Sequence, residues 1–138
     1  MSNIITDLLE VLYERIGQAH PRVYFEEVPE KDPATGKAVR FPYICYKLPN
    51  SIKRELPEEF TLEVDCWDNK GDTTRLELLA AAVDDMLHCW CRLFNGFGLR
   101  VFRLNRLQVP DPDPKIRRRL LRYLVRVYFI NQKGVVKS

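Results

Sequence analysis

Phe60-Thr61-Leu62-Glu63-Val64-Asp65-Cys66-Trp67 alternates strictly between apolar and polar residues. Successive side chains of a β-strand point to opposite faces of its sheet, so this alternation predicts a half-buried strand. Thr61, Glu63 and Asp65 fall on the less buried face. Because alternation alone places polar residues there, we expect the two carboxylates to be solvated rather than to perform the acid–base chemistry of a small hydrolase.

A long helix is predicted directly after this strand. The turn-forming run Asp68-Asn69-Lys70-Gly71-Asp72 ends the strand, and Thr74 with Glu77 three residues later is typical of a capping box at a helix start. Apolar residues then recur at spacings of three and four, which places them on one face of a helix that is expected to pack on the sheet. These residues are Leu76, Leu79, Val83, Met86, Leu87 and Trp90.

The remaining segments complete a mixed pattern of helices and strands. An apolar stripe of Ile4, Ile5, Leu8, Leu12 and Ile16 predicts a first helix that packs on the same sheet. Further strands are predicted from runs of strand-forming residues at 23–25, 41–48, 99–107 and 120–130. If the strand at 99–107 joins the sheet, a right-handed crossover sets it parallel to the strand that begins at Phe60.

These elements predict an α+β fold in one domain, residues 1–138. Two helices pack on a mostly antiparallel, mixed sheet of about five strands, in the order α-β-β-β-α-β-β. Exposed loops are expected near 29–40, 49–59 and 108–119, because these segments are polar and rich in proline. We expect the first of them to form the tip of an extended hairpin.

The four cysteines do not form a metal-binding pattern. Cys45 and Cys66 lie in apolar strand-like runs, and one residue separates Cys89 from Cys91, where zinc ligands are usually two to four apart. The sequence therefore predicts buried or semi-buried free thiols. It also contains no Gly-rich phosphate loop and no nucleophile–base motif, so we predict no catalytic residues, no metal site and no cofactor, and an enzyme is disfavoured.

Charge is distributed unevenly along the chain. Residues 1–98 contain 11 Lys and Arg against 17 Asp and Glu, a net charge of −6, whereas residues 99–138 contain 11 against 2, a net charge of +9. Such asymmetry is typical of nucleic-acid contact, or of a protein whose basic side meets the acidic side of the next copy. No apolar run reaches the roughly 18 to 20 residues that span a bilayer, and no secretory signal pattern is present, so a cytoplasmic protein is expected.

Both interpretations of this charge depend on five arginines near the C-terminus. Arg117, Arg118, Arg119, Arg122 and Arg126 are able to bind the phosphate backbone of DNA or RNA. The alternative is a subunit or partner interface, because Arg122 and Arg126 share a strand face with apolar residues. The absence of a recognition-helix or aromatic RNA-binding motif favours protein contact.

The order of elements resembles the tail-completion or tail-terminator proteins of long-tailed bacteriophages and prophages. The similarity lies in the strand that ends in Cys66-Trp67-Asp68, the turn Asn69-Lys70-Gly71-Asp72-Thr73-Thr74 and the helix that follows. After a Gly-rich break come a strand, a Pro-Asp-rich link and a final long strand, as in that family. The N-terminal helix, strand and long loop also fit the family's order of elements.

This resemblance implies a non-enzymatic structural protein. Such proteins assemble as a ring, typically of six subunits, at the head-proximal end of the tail, where they stop polymerisation of the tube and join it to the head. The implied partners are further copies of the chain, tail-tube proteins and head-connector proteins, with no membrane. The implied location is the cytoplasm of the bacterial host during assembly, and then the virion tail.

Overall fold

The computed structural model describes residues 4–31, 35–53, 58–94, 96–130 and 136–137. Nine elements follow one another within these residues. They are α1 (Ile4–Gly17), β1 (Val23–Phe25), β2 (Tyr43–Lys53), β3 (Glu58–Asp68), α2 (Thr74–Leu87), β4 (Trp90–Phe94), β5 (Phe97–Gln108), β6 (Arg117–Ile130) and β7 (Val136–Lys137). The predicted α+β class is confirmed.

One mixed sheet contains all the strands. Its order is β1-β2-β3-β6-β5-β4, and the short β7 pairs with β6 off this path. Among the described strands β1 and β2 pair in parallel, and the other pairs are antiparallel. Because β6 lies between β3 and β5 and is antiparallel to both, β3 and β5 run in the same direction, as predicted. The sheet has six strands in its main path, rather than about five.

Both helices pack on the same face of this sheet and enclose the core. The predicted inward residues of β3 are all buried there, in line with the alternation of the sequence. The largest fully buried side chains include Leu8, Leu12 and Ile16 of α1, Leu76 and Leu87 of α2, and Ile44, Tyr46, Leu62, Leu99, Leu121 and Tyr123 of the sheet. Burial of each large apolar side chain contributes about 1.5 to 3 kcal/mol before the loss of conformational entropy.

The start of α2 differs from the predicted capping box. Thr74 is already the first helical residue, and Thr73 makes no side-chain capping hydrogen bond. Asp72 takes that role, because its Oδ1 accepts hydrogen bonds from Thr74 N–H at 2.9 Å and from Thr74 Oγ1 at 2.7 Å. The Glu77 carboxylate instead forms ion pairs with arginines of the sheet.

The end of α2 also differs from the prediction. The helix ends at Leu87, and Cys89 adopts a left-handed conformation with φ of 61°. This turn redirects the chain into β4, so Trp90 begins a strand instead of continuing the helical stripe. Trp90 still packs against the core, and the guanidinium carbon of Arg15 lies 5.1 Å from its ring centroid.

All three predicted loops differ from the prediction in boundaries or geometry. The segment near 29–40 does not join β1 and β2 as a hairpin, because these strands pair in parallel. The segment still doubles back on itself, since Lys31 and Ala38 form an antiparallel bridge. Strands β2 and β3 occupy most of the segment 49–59, and 54–57 lies outside the described residues. The third loop is shorter than predicted, because β6 already begins at Arg117.

Candidate functional site: the open face of the sheet

Neither helix lies on the second face of the sheet, which we call the open face. On β6 it carries Arg118, Leu120, Arg122, Leu124, Arg126 and Tyr128, whereas the alternate residues from Arg119 to Val127 are buried beneath the helices. The register extends the face onto β3 through Glu63 and Asp65, and onto β5 through Arg100 and Phe102. Strand alternation therefore produces a surface that is partly apolar and partly charged.

Three ion pairs cross this face between β3 and β6, and we call them the ion-pair ladder. Arg126 Nε lies 2.8 Å from Glu59 Oε2, Arg122 Nε lies 2.9 Å from Glu63 Oε2, and Arg118 hydrogen-bonds to both carboxylate oxygens of Asp65. The first two pairs join residues directly opposite in the register, and the third is diagonal. The carboxylate side chains are only 13–15% exposed. Glu63 and Asp65 thus lie on the predicted face, but the expectation that they are solvated is wrong.

The Asp65 end of the ladder contains its least exposed arginine, because Arg118 is 21% exposed and the other two arginines are 41% and 45% exposed. Burial raises the pKa of Asp65, because the cost of desolvating the carboxylate outweighs the hydrogen bond from Arg118. The Arg118 guanidinium also lies over the Trp67 ring, 4.0 Å from its centroid, and Trp67 in turn stacks on Tyr43 at 5.8 Å. Burial is the main cause that raises the pKa of Tyr43 to about 12. A cleft of about 300 Å³ opens beside this cluster, with Cys45 on its wall.

The five arginines predicted as an interface do not form one patch. Arg118, Arg122 and Arg126 lie on the open face within the ladder. Arg119 points to the helix side, where it is 8% exposed and its Nε lies 2.5 Å from Glu77 Oε1. Arg117 is exposed at the start of β6. Successive side chains of β6 point to opposite faces of the sheet, so arginines that are neighbours in the sequence are separated in the structure.

The charge asymmetry of the sequence is largely neutralised within one subunit. Arginines from the basic C-terminal part pair with carboxylates from the acidic N-terminal part: Arg103 with Asp84, Arg106 and Arg119 with Glu77, Arg118 with Asp65, Arg122 with Glu63 and Arg126 with Glu59. The uneven distribution along the chain therefore does not become two whole faces of opposite charge.

A second feature of the open face, which the sequence did not predict, lies where β4 and β5 meet β6. A cavity of about 320 Å³ is lined by apolar atoms, with Leu93, Gly98 and Tyr128 in its wall and Arg100 at its rim. Leu93 is 73% exposed, the most exposed of the large apolar side chains that the structure describes. We call this site the β4–β5 corner. Sequence reasoning missed it because β4 was taken as the end of α2.

The cysteines are free, but their environments differ from the prediction. Cys66 is buried and burial raises its pKa to about 12, while Cys45 is half-buried. Cys89 and Cys91 are exposed, because the first sits in the turn after α2 and the second points to the open face from β4. The described part of the chain contains no group of three or more His, Cys, Asp or Glu side chains placed to hold a metal ion, and no helix in it is long and apolar enough to cross a membrane.

The fold and the open face together define a small α+β protein in which helices cover one side of a sheet and paired charges line the other. No family model matches this chain, and no curated protein matches it. Several solved structures resemble it, among them the following two. A chain of the virion of a native gene transfer agent particle has 19% identity and a TM-score of 0.56, over 85% of this chain and 84% of that one. The second, a protein whose name states no function, has 17% identity and a TM-score of 0.65, over 94% of this chain and all of that one. At these identities the likeness shows a shared fold.

Proposed function

We propose that this protein is a structural component of a phage or prophage virion. The observation that carries the proposal is the fold shared with a chain of a gene transfer agent virion over most of both chains. The stretch from Glu63 to Thr74 supports it independently, because it resembles a family of virion proteins on the sequence alone. In this proposal the protein is not an enzyme, and it acts through contacts with other proteins.

The specific role we propose is that of a tail-completion or tail-terminator protein. In this role several copies, six by analogy with the family, form a ring on the head-proximal end of the tail tube and present a surface to the head connector. The open face supports such a role, because its ion-pair ladder and exposed apolar side chains combine in a mixed surface that suits protein contact. The protein would act in the cytoplasm of the bacterial host and remain in the virion tail.

Nucleic-acid binding by the C-terminal arginines is the alternative, and the geometry of the ladder counts against it. Three of the five arginines already pair with carboxylates at short distance, and Arg119 is buried against α2. A phosphate backbone would have to compete with these carboxylates for the arginines. Few unpaired cations are therefore left to bind phosphates and release the counterions of the nucleic acid. Arg117, with Lys115 beside it, is the exposed part of the cluster.

The proposed role can be tested with the purified protein and the tail-tube protein from the same genome. We expect light scattering of the protein alone to give a discrete closed oligomer. When the protein is mixed with tail tubes, we expect electron microscopy to show tubes that stop growing once the protein caps one end. Tubes that grow to the same lengths with and without the protein would refute the terminator role. DNA affinity that falls steeply with salt and disappears in the triple variant Arg117→Ala, Arg118→Ala, Arg119→Ala would support the alternative.

A further inference from the structure

Arg100, in the wall of the β4–β5 corner, is a cation beside another cation. It lies directly opposite Arg126 in the β5–β6 register. Arg126 is engaged by Glu59, whereas no described carboxylate pairs with Arg100. Like charges opposite each other destabilise a sheet, so a carboxylate from outside the subunit would be favourable at this position.

The corner beside Arg100 defines the chemistry of the group that fits it. Leu93, Gly98 and Tyr128 provide an apolar wall, and Gly98 leaves room because it has no side chain. Burial of the exposed Leu93 against an apolar partner would be favourable. The site thus suits a segment that carries an apolar side chain next to a carboxylate.

The chain itself presents such a segment on the opposite edge of the sheet, at the end of β1 and in the residues that follow it. Phe25 is an exposed aromatic residue, and the exposed Glu26 and Glu27 follow it. The backbone is held in place, since Glu26 has φ of 64° and its N–H donates to the Tyr46 carbonyl oxygen at 2.9 Å. A non-glycine residue in this conformation is strained, and such strain is found most often where function requires a fixed geometry.

We propose that the β4–β5 corner of one copy binds the Phe25–Val28 segment of the next copy, with Arg100 pairing with Glu27. Because β1 and β4 lie at opposite edges of the sheet, the corner of one copy takes the segment of a different copy. Such a heterologous contact repeats from subunit to subunit and closes into a ring when the rotation allows it. The inference rests on the proposed ring assembly and assigns the interface within it.

Charge reversal tests the pair directly. Arg100→Glu and Glu27→Arg each place like charges across the interface, and we expect each single variant to weaken assembly on the order of 100-fold in dissociation constant, because such juxtaposition costs several kcal/mol. A mixture of the two single variants restores an attractive pair at every interface if the copies alternate, so it should recover the oligomer mass in light scattering. Lys115→Glu, a reversal outside the interface, is the matched control and should assemble normally.

A cross-linking experiment detects the contact even when assembly is weak. Cys91 is exposed beside Arg100 in the register, so Glu27→Cys should form disulfides with Cys91 of neighbouring copies under mild oxidation. We expect a series of disulfide-linked bands on a non-reducing gel, from dimers and trimers to larger species. This series should be lost with Cys91→Ser. Dimers alone would indicate a different, symmetric contact and would overturn the proposal.

The outcomes separate the interface from the function. The assigned interface is overturned, and the terminator role stands, if both charge reversals leave the ring or capped tube unchanged and Glu27→Cys gives no disulfide-linked series. The interface is supported, and the terminator role refuted, if the disulfide-linked series forms and the mixed variants recover assembly but tube growth does not change.

Discussion

Replacement of Tyr123 by phenylalanine tests how α2 is held on the sheet. Tyr123 is fully buried, and its hydroxyl donates a hydrogen bond of 2.8 Å to Asp84 Oδ1 on α2, whose other oxygen pairs with Arg103. Burial and this carboxylate both raise the pKa of the tyrosine. A hydrogen bond to a charged group contributes about 1.5 to 3 kcal/mol. Asp84 is partly exposed and regains water when the hydroxyl is removed, so we expect Tyr123→Phe to lose about 1 to 2 kcal/mol.

Urea denaturation followed by circular dichroism measures this loss at fixed protein concentration. With an m-value of about 2 kcal/mol per molar, the midpoint should fall by roughly 0.5 to 1 M. Tyr13→Phe is the matched control, since Tyr13 lies on the surface of α1 and its substitution should change the midpoint little. A Tyr123→Phe midpoint equal to that of the control would refute the role assigned to the hydrogen bond.

Four further predictions concern β3 and the turn between β4 and β5. Burial alone would raise the Asp68 pKa, but hydrogen bonds from Arg75 and the backbone lower it overall. The advantage of Asp68 over Asp68→Asn, about 1 to 3 kcal/mol at neutral pH, should therefore vanish as pH falls below the ordinary value of 3.8. The Asp65 pKa is raised, so the stability of the native protein relative to Asp65→Asn should increase as pH falls through that pKa. Leu62→Ala should lose about 2 to 5 kcal/mol, because Leu62 is fully buried. Gly96→Ala should lose about 1 kcal/mol, because Gly96 has φ of 81°.

Each of these has its own control and measurement. Denaturation midpoints across pH 3 to 7 compare the two aspartate variants, and parallel slopes would contradict the opposite pKa shifts. Leu78→Ala, on the exposed side of α2, should change stability by less than about 0.5 kcal/mol. Gly71→Ala is the control for Gly96, because neither glycine has atoms that would crowd a new Cβ and only Gly96 has a positive φ. Equal losses at the two glycines would show that backbone conformation is not the cause.

Periodicity predicted the elements whose patterns are local. The alternation of β3 and the apolar stripe of α2 as far as Leu87 matched the structure, because each pattern depends on residues only a few positions apart. β4 was missed for the same reason: its residues continue the helical spacing of α2, and the turn that separates them uses Cys89 in a left-handed conformation instead of a glycine or proline.

The ion-pair ladder and the β4–β5 corner depend on register between distant segments. Arg122 and Glu63 are 59 residues apart, and a shift of one residue would have placed Arg122 under the helices. The sequence correctly placed Arg122 and Arg126 on one strand face with apolar neighbours. It did not show that β3 would supply a carboxylate for each of them, since local patterns carry no information about which strands become neighbours.

The ion-pair ladder also constrains how this protein can diverge. A carboxylate of β3 that is only 13–15% exposed cannot lose its arginine without leaving a poorly solvated charge, so a change at one partner is harmful until the other changes as well. Positions 59 and 126, 63 and 122, and 65 and 118 should therefore vary as pairs among natural relatives, for example from Glu and Arg to two uncharged residues. Arg117, which is exposed and outside the ladder, should vary on its own.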